Sequence, residues 1–559
     1  MVDEWQPMGP IPALTAEVAH ASFPAGCLAM HLRDVFYGLY HNHEFADLFA
    51  VRGQPALLPW RLALISVLQF VEDLSDRAAA DAVRRCIDWK YALGLELTDP
   101  GFHSSVLSEF RTRLIDGAAE ERLLNRVLAH LRERGLVPER GQQRTDSTHV
   151  LAAIRTLNRI EVVAETLRHA LESLAVAAPT WLCSQIAPDW WERYSTRVED
   201  YALPKDPALR QALCETIGAD GRQLLRALAA PSAPAWLREL PAVGVLRRVW
   251  VQQYYATAAT GSYWRTAADL PPASVLIQSP YDVEARYATK RQTHWVGYKV
   301  HVTETCDAEL PRVITQITTA AAPASDGSAV EPIHAALAQR QMLPAQHLVD
   351  QGYVDAAALV TSQHEYGVDL VGRVGRDTSW QAQAGLGLGL EHFTIDWAAQ
   401  QVTCPQGQTS QGWRATTNEY GTAVIRVHFR AEDCRACPVQ AQCTARRERS
   451  RRLTLRPQEQ QAALQAARVR QETVEFKAQY ALRAGVEGTL SQGVRAFGLR
   501  RSRYIGQAKT HLQHVLTAVA LTVARVYAWW RGVPRAGTRV SQFAKLAPPG
   551  ALQQQVGCA

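Results

Sequence analysis

Three acidic residues that lie far apart in the chain stand in local contexts that suit metal binding. Asp146 lies in the β-rich run RTDSTHV, Asp350 ends a short apolar stretch in HLVDQGY, and Glu487 lies within a helical pattern. A carboxylate at the carboxyl end of a strand in an open α/β sheet lies where ligands bind. Mg²⁺ prefers such oxygen ligands, Mn²⁺ accepts them, and two ions held by converging carboxylates can drive phosphoryl transfer on nucleic acid. The alternative for each residue alone is a turn or capping acid.

Two side chains upstream of Glu487 extend the pattern. Tyr480 and Arg483 precede it by seven and four residues, a spacing that predicts one face of one helix. An arginine and a tyrosine beside a metal-binding glutamate could contact phosphate, whereas the alternative is a plain Arg–Glu surface pair. Three glycines argue against that alternative, because each costs about 1 kcal/mol inside a helix and suggests close approach of another backbone or of DNA. They are Gly485, Gly488 and Gly493.

Carboxylates carried on strands need a sheet to bring them together, and the sequence predicts a mixed α/β sheet. A strand over 144–150 carries Asp146. A basic loop from Ser279 leads into strands over 296–303 and 313–319, a helix, and the short strand that ends at Asp350. A helix and a last strand follow, and the resulting order is that of a ribonuclease H-like domain. Asp326, with Gly327 and Ser328, is expected to cap the helix that precedes the Asp350 strand, and like Asp355 and Asp369 it is not assigned to the metal site.

The spacing of the three acids indicates that the catalytic part of the chain is interrupted twice. Asp350 follows Asp146 by 204 residues, and Glu487 follows Asp350 by 137, more than neighbouring elements need. The predicted organisation is a flexible lead-in (1–30), a helical amino-terminal domain (31–140), a ribonuclease H-like core (141–153 and 279–376), a helical insertion (154–278), a Cys-rich insertion (377–450), the carboxyl-terminal part of the catalytic domain with the Glu helix (451–531) and a tail (532–559).

The positive charge of the chain is concentrated in one segment. The formal net charge is +6, but residues 444–504 alone hold 14 Lys and Arg against 5 Glu and no Asp, which gives +9. A local basic surface of this kind favours a polyanion such as nucleic acid. The alternative is a solvated helical face without a partner.

The sequence also predicts a compartment. No apolar run reaches the length of a membrane span, and the amino terminus lacks a basic start followed by an apolar stretch. We therefore expect a cytoplasmic protein with no membrane partner. Ten cysteines fit that compartment if they bind metal or stay reduced rather than form disulfides.

Four of these cysteines form a cluster in the second predicted insertion. Cys404 lies in CPQG, and the run CRACPVQAQC holds Cys434, Cys437 and Cys443. Four thiols with a Cys-x2-Cys pair are the usual ligands of a tetrahedral structural Zn²⁺. An iron–sulfur cluster and unliganded thiols are the alternatives. The remaining cysteines are scattered and are expected to be ordinary reduced residues: Cys27, Cys86, Cys183, Cys214, Cys306 and Cys558.

Taken together, these segments resemble a bacterial insertion-sequence transposase of the DDE class, closest to the family numbered eleven-eighty-two. The resemblance rests on RTDSTHV, SPYDVEARYATKR with WVGYKVHVTET, HLVDQGY, and YALRAGVEGTLSQGVRAFGLRRSRYIGQAKTHLQHV. The stretch FADLFAVRGQPALLPWRLALISVLQF resembles the transposase-associated helical domain of that family. The chain departs from the family's Tyr-Arg-Glu-Lys signature, because Val494 stands where the lysine is expected. Arg495, one residue later, lies about 80° off the face that carries Glu487.

The resemblance implies a function and a set of site residues. Asp146, Asp350 and Glu487 would bind two Mg²⁺ or Mn²⁺ ions and would cut and join the ends of an insertion sequence. Double-stranded DNA, as element ends and target, would be the partner, with a homodimer on DNA and a nucleoid-associated cytoplasmic location. A metal-dependent nuclease of the same fold and a non-catalytic DNA-binding derivative are the alternatives. The residues expected to contact DNA phosphate are Tyr480, Arg483, Arg495, Arg500, Arg501 and Arg503.

Overall fold

The computed structural model describes residues 9–36, 38–50, 57–199, 201, 203–257, 261–445, 450–535, 543 and 546. Much of the predicted tail, part of the predicted lead-in and Cys558 therefore fall outside the described residues. None of the helices within these ranges is both long enough and apolar enough to span a membrane.

The first part of the chain is helical, as its periodicity predicts. Helix α4 begins where the Ser75 side chain accepts a hydrogen bond from the Ala78 amide, and α5 ends at Gly94 in the left-handed conformation. The flexible lead-in is wrong for residues 13–22, which form α1, because Ala19 packs there against Met30 and Tyr91. The helices are α1 (Ala13–Ser22), α2 (Leu28–Asp34), α3 (Pro59–Val71), α4 (Asp76–Arg85), α5 (Ile87–Leu93), α6 (Ser105–Asp116) and α7 (Glu121–Glu133).

A long strand and a second helical segment come next. Helix α8 begins with a capping box, in which the Asn158 side chain accepts from the Glu161 amide and Glu161 reaches back to the Asn158 amide. The helices after the strand pack around a hydrophobic core of their own, which includes Leu167, Leu224 and Leu246. The elements are β1 (Gln142–Leu151), α8 (Arg159–Ala177), α9 (Pro179–Cys183), α10 (Asp189–Tyr194), α11 (Pro207–Ala229), α12 (Pro241–Gln253), β2 (Tyr254–Thr257) and β3 (Gly261–Trp264).

The chain then returns to the sheet that β1 began. The predicted basic loop after Ser279 contains a strand, β4, which the sequence did not reveal because only its Ala288 is buried and no apolar alternation results. The other predicted strands are confirmed within a few residues. The elements are β4 (Arg286–Lys290), β5 (Thr293–Thr305), β6 (Ile314–Ala321), α13 (Val330–Gln339), β7 (Gln346–Val349), α14 (Ala356–Tyr366) and β8 (Asp369–Val371).

The cysteine-bearing segment forms a small unit of short strands and helices. Its core includes Phe393, Val427 and Leu455. The last strand of its three-stranded sheet, β13, pairs with β12, so the unit extends past the predicted boundary at residue 450. The elements are α15 (Trp380–Gln383), β9 (Thr394–Asp396), β10 (Gln401–Thr403), β11 (Gly412–Thr417), β12 (Ala423–His428), α16 (Ala431–Arg435), α17 (Gln440–Cys443) and β13 (Arg452–Leu455).

Four helices complete the described chain: α18 (Gln458–Arg470), α19 (Val474–Ala481), α20 (Gly485–Ala496) and α21 (Gln507–Trp530). The long helix predicted after Gly506 is confirmed as α21. It packs on β6 and lies next to α20, where Arg525 donates to Gln492. Its apolar residues at helical spacing are buried as expected: Leu512, Val515, Leu516, Val519 and Val523.

The central sheet is mixed and has the order β4–β5–β1–β7–β8, with β6 also paired to β5. Strand β5 runs antiparallel to β1, β4 and β6, whereas β7 and β8 run parallel to β1. A mixed sheet of this order with flanking helices is consistent with the predicted ribonuclease H-like fold. One hydrophobic core joins this sheet to α21 and to the amino-terminal helices, because α3, α6 and α7 pack on α21 from the other side.

Candidate active site

Two of the three predicted carboxylates are brought together by strand register. In the parallel pairing of β1 with β7, Thr145 lies opposite Val349, so the next position places Asp146 beside Asp350. Asp350 directly follows β7 and immediately precedes the short 3-10 turn Gln351–Tyr353, without a side-chain capping hydrogen bond. Burial raises the pKa of Asp146 above its ordinary value, and the Asp350 carboxylate adds to that rise, while the Ser147 amide and Arg483 oppose it. The sheet therefore forms a paired-carboxylate site.

The third carboxylate reaches this pair through Arg483. The Arg483 Nη1 lies 3.3 Å from Asp146 Oδ2, and its Nη2 lies 3.2 Å from Glu487 Oε1. The Tyr480 hydroxyl donates to Asp350 Oδ1 at 3.4 Å, and the Arg483 guanidinium lies over the Tyr480 ring. One segment of chain thus contacts all three acids. The Glu487 side chain remains 64% exposed, whereas that of Asp146 is 17% exposed.

The prediction of one continuous helix from Tyr480 to Glu487 is wrong. Helix α19 ends at Ala481, a 3-10 turn covers Leu482–Ala484, and α20 begins at Gly485. The Leu482 carbonyl at this break accepts a hydrogen bond of 2.5 Å from Arg144 Nη1. The side chains of Tyr480, Arg483 and Glu487 still meet, but they meet across a 3-10 turn that Arg144 of β1 contacts.

A buried ionic cluster connects this 3-10 turn and α20 to the sheet, and the sequence did not reveal it. Arg144 on β1 and Glu304 on β5 form an ion pair of 2.5 Å with side chains 2% and 0% exposed. Glu304 also pairs with Arg525 of α21 at 2.8 Å and accepts from the Thr489 hydroxyl of α20. Four elements around the site therefore share one buried carboxylate. Charged residues inside two strand patterns were the available signal, since buried charges require partners.

The glycines of α20 differ in what surrounds them, and where a neighbour lies close it is a side chain rather than the expected backbone. A Cβ on Gly485 would lie 2.1 Å from Arg144 Nη1, so a guanidinium occupies that space. A Cβ on Gly493 would lie 2.9 Å from Leu499 Cδ2, again a side chain. A Cβ on Gly488 would meet nothing within 4 Å among the described residues.

A second group next to the two strand-borne acids involves Asp326, which the sequence predicted only as part of a helix cap. Asp326 does precede the 3-10 turn Gly327–Ala329, but its side chain makes no capping hydrogen bond there. Asp326 Oδ1 accepts from the Ser147 hydroxyl at 3.0 Å and from Lys299 Nζ at 3.1 Å. A Cβ on Gly352, two residues after Asp350, would lie 3.3 Å from Asp326 Oδ2. Although burial opposes it, the Lys299 ammonium holds the pKa of Asp326 below its ordinary value. Asp326 therefore contacts the neighbours of both Asp146 and Asp350.

Two buried residues extend this second group. The Tyr353 hydroxyl lies 2.7 Å from His301 Nδ1, and both side chains are about 1% exposed. Burial lowers the pKa of His301 to about 4, so the imidazole is neutral near pH 7.

The basic residues predicted to contact DNA phosphate occupy different surroundings. Arg495 and Arg501 are exposed. Arg500 donates to the Thr148 hydroxyl at 2.7 Å, two residues past Asp146 on β1. Arg503 instead contacts the amino-terminal helices, where it pairs with Asp73, donates to the Leu74 carbonyl and lies over the Phe70 ring.

The four clustered cysteines surround one small cavity. Cys404, Cys434, Cys437 and Cys443 all line a space of about 30 Å³. Burial raises the pKa of Cys443 above its ordinary value, and the other three thiols add to that rise. Cys434 Sγ also accepts from the Arg451 amide at 3.4 Å. Four sulfur donors around a cavity of this size suit a single soft ion such as Zn²⁺.

The carboxylate site and the cysteine cluster both carry donor atoms that suit metal ions, but in neither are the side chains arranged as a complete coordination sphere. Within the described residues, no group of three or more His, Cys, Asp or Glu side chains has the geometry of a bound ion. At the carboxylate site the Arg483 guanidinium bridges Asp146 and Glu487. Two carboxylates this close to one another require a positive charge between them, and the guanidinium supplies it. The oxygen donors there fit hard divalent ions.

Comparison with known families bears on two parts of the chain. Residues 403–527 match the family described as transposase DDE domain, a range that holds the four cysteines, Tyr480, Arg483 and Glu487. Residues 20–113 match the family described as transposase domain (DUF772), a range that holds α3 to α5. No curated protein matches the sequence. The two family matches support a DDE transposase.

Proposed function

We propose that the protein is a DNA transposase that cuts and joins the ends of an insertion sequence by two-metal-ion phosphodiester hydrolysis and strand transfer. The observation that carries the proposal is the convergence of Asp146, Asp350 and Glu487 on the Tyr480–Arg483 segment. The motif resemblance to the family numbered eleven-eighty-two supports the same assignment.

In this proposal the three acids bind the metal ions, and Arg483 and Tyr480 bind the DNA phosphate. Asp146, Asp350 and Glu487 supply the oxygen ligands. Two bound Mg²⁺ or Mn²⁺ ions supply activation of the attacking oxygen and stabilisation of the leaving oxygen. Arg483 neutralises Asp146 and Glu487 in the present arrangement, and its guanidinium is within reach of a phosphate placed between them. The Tyr480 hydroxyl, next to Asp350, positions the same phosphate.

DNA is the proposed partner throughout. Arg495 and Arg501 are exposed and Arg500 is anchored beside Asp146, so this stretch can follow a phosphate backbone. We assign recognition of the element ends to the helical domain at 31–140, and the segments 154–278 and 377–450 to insertions in the catalytic domain. Transposition joins two ends, so we propose a homodimer on DNA in the cytoplasm, at the nucleoid.

We further propose that the four cysteines hold one structural Zn²⁺. This assignment is supported by the cavity of about 30 Å³ that the four cysteines line and by the all-sulfur donor set. Metal analysis of purified protein should find about one equivalent of zinc, which Cys434→Ser combined with Cys437→Ser removes. Less than half an equivalent of zinc, with iron also absent, would leave the thiols unliganded. Iron in place of zinc would indicate an iron–sulfur cluster.

The test of the main proposal is cleavage of labelled DNA that carries the flanks of the gene, with Mg²⁺ or Mn²⁺ present. Wild-type protein should cut at the flank ends, and Asp350→Asn should abolish cutting. Asp355→Asn is the matched control, because Asp355 lies five residues away and only caps α14 through the Ala358 amide.

The other outcomes point to different functions. Cutting that survives Asp350→Asn would rule out this active site. Cutting without preference for the flanks, and without joining, would indicate a nuclease of the same fold. Tight, salt-sensitive DNA binding without any cutting would indicate a non-catalytic DNA-binding protein.

A further inference from the structure

A large cavity opens beside the active site at the carboxyl ends of β7 and β8. It has a volume of about 720 Å³. Gln351, the residue after Asp350, and Tyr480 form the wall nearest the carboxylates. The segment that follows β8 forms another wall and α19 forms the third. Arg373, Arg376, Phe476 and Lys477 also line it.

The cavity carries more positive charge than its own acids neutralise. The described lining residues include three cations, Arg373, Arg376 and Lys477, and one acid, Glu472. Its pairing with Arg376 is long, at 3.5 Å, and both side chains are largely exposed, 83% and 61%. Such a pair contributes little. Lys477 donates only to the Glu472 backbone carbonyl at 2.9 Å.

The remaining cation is oriented by an aromatic ring rather than by a carboxylate. The Arg373 guanidinium lies 5.3 Å from the centre of the Tyr480 ring. The Tyr480 and Phe476 rings stack with their centres 5.5 Å apart. Arginine held over an aromatic face keeps its donors free for an anion.

The cavity is continuous with the catalytic centre through Tyr480. The hydroxyl of that residue contacts Asp350, while its ring forms the cavity wall. A DNA strand with a phosphate at the carboxylates therefore has its neighbouring phosphates at this cavity, because successive phosphates of one strand are only a few ångströms apart, about 3.4 Å along the helix axis.

We propose that this cavity binds the phosphodiester backbone of the DNA strand next to the cleaved bond, with Arg373, Arg376 and Lys477 as its phosphate contacts. The inference rests on the proposed function and adds a binding surface to it. None of the three residues touches the carboxylate triad, so their role is to hold the strand.

The experiment is a salt titration of DNA binding, with gene flanks as the DNA. The variant is Arg373→Gln combined with Arg376→Gln and Lys477→Gln. Each lost phosphate contact lowers the slope of log affinity against log salt by about 0.9, so the triple variant should lose between about 2 and 3 units of slope. Its melting temperature should stay close to that of the wild type, since the three side chains are exposed.

The matched control removes three arginines from the small three-stranded sheet and its edge, Arg414, Arg426 and Arg430, which are also exposed. The control should keep the wild-type slope. An equal loss of slope in the control would show that total charge alone matters, and an unchanged slope in the test variant would show that the cavity does not hold DNA. Either result overturns the inference.

A second measurement locates the contact. One neutral methylphosphonate linkage next to the cleavage position should weaken binding of the wild type and leave binding of the triple variant nearly unchanged. Equal weakening of both would place the contact elsewhere. Cleavage by the wild type and by Asp350→Asn, measured on the same DNA, tests the proposed function separately. A wild type that binds but does not cut can still show the loss of slope.

Discussion

The two halves of the carboxylate site are built in different ways. On the sheet side, Asp146 and Asp350 lie on adjacent parallel strands whose register is set by backbone hydrogen bonds, with Asp326 behind them. On the helical side, Glu487 is mostly exposed and is held by one ion pair to Arg483. Helix α20, which carries Glu487, and the 3-10 turn before it are connected to the sheet by the buried Arg144–Glu304–Arg525 cluster.

This difference teaches that the positions of the first two carboxylates, Asp146 and Asp350, are set by the fold of the sheet, whereas the position of Glu487 depends on how its helix packs against the sheet. A parallel ladder cannot shift by one residue without moving every buried side chain to the other face. A surface ion pair such as Arg483–Glu487 contributes little by itself. The position of Glu487 therefore depends on buried charges remote from it in sequence, and each prediction below tests one half against the other.

The largest effect is expected from breaking the docking cluster. Glu304→Leu leaves Arg144 and Arg525 buried without their carboxylate, which should cost about 3–5 kcal/mol of unfolding free energy. Denaturant unfolding gives the measurement, and Glu172→Leu on α8 is the matched control, because the Glu172 side chain is 60% exposed in its pair with Arg168. A loss below about 1 kcal/mol would contradict the view that this cluster holds the helical half.

A smaller effect is expected from loosening the sheet half. Asp326→Asn removes the charge that pairs with Lys299 and weakens the hydrogen bond from the Ser147 hydroxyl. The backbone next to Asp146 and Asp350 then loses contacts that help to position the two carboxylates. Loss of such outer support commonly lowers metal affinity or activity about 10- to 100-fold. Cleavage should therefore require more Mg²⁺, and the melting temperature should fall as well, because the largely buried Lys299 loses its carboxylate partner. A drop in melting temperature with an unchanged Mg²⁺ requirement would make Asp326 merely structural.

Acid should destabilise the packing of α21 on the central sheet through one buried histidine, His514. Burial lowers the pKa of His514, between α21 and β6, to about 3, with His511 adding to the effect, although the ordinary value is 6.5. The unfolded chain therefore takes up a proton below about pH 6.5 that the folded chain takes up only near pH 3, so stability falls as pH falls through that window. His514→Leu should reduce this slope by up to about 1.4 kcal/mol per pH unit. Unfolding measured from pH 7 to 4.5 tests it, and an unchanged slope would contradict it.

The smallest effect is expected at Gly488. Alanine there meets open space, so Gly488→Ala should stabilise the protein by roughly 0.5–1 kcal/mol through helix propensity. Gly485→Ala should instead displace Arg144 and destabilise. Melting temperatures of the two variants give the comparison. If Gly488→Ala stabilises the free protein but weakens DNA binding, DNA approaches α20 at that point.

The acids of both halves were predictable from sequence, whereas the distant contacts that hold them were not. Asp146 lies within β1 and Asp350 directly follows β7, and the local apolar patterns and turn residues there need no distant partner to be recognised. Glu304 pairs with Arg144 across 160 residues, and neither residue shows its partner in its own neighbourhood. At the helix break after Ala481, the Leu482 carbonyl accepts a hydrogen bond from Arg144, which is distant in sequence. Residue spacing carries no sign of that contact, and for this reason it predicted one unbroken helix. The contact of Asp326 with Ser147 was missed for the same reason, since Ser147 lies 179 residues away.

Helix α21 carries a consequence for how the chain can be cut into pieces. Its buried residues face the central sheet on one side and α3, α6 and α7 on the other. A fragment that begins at residue 141 would expose the second side as an apolar stripe along a helix of 24 residues. Such a stripe drives aggregation. The amino-terminal helices are therefore not an independent domain that can be deleted without affecting the rest of the chain. We expect a truncated copy made in the same cell to be insoluble, so it would not act as a competing DNA-binding inhibitor.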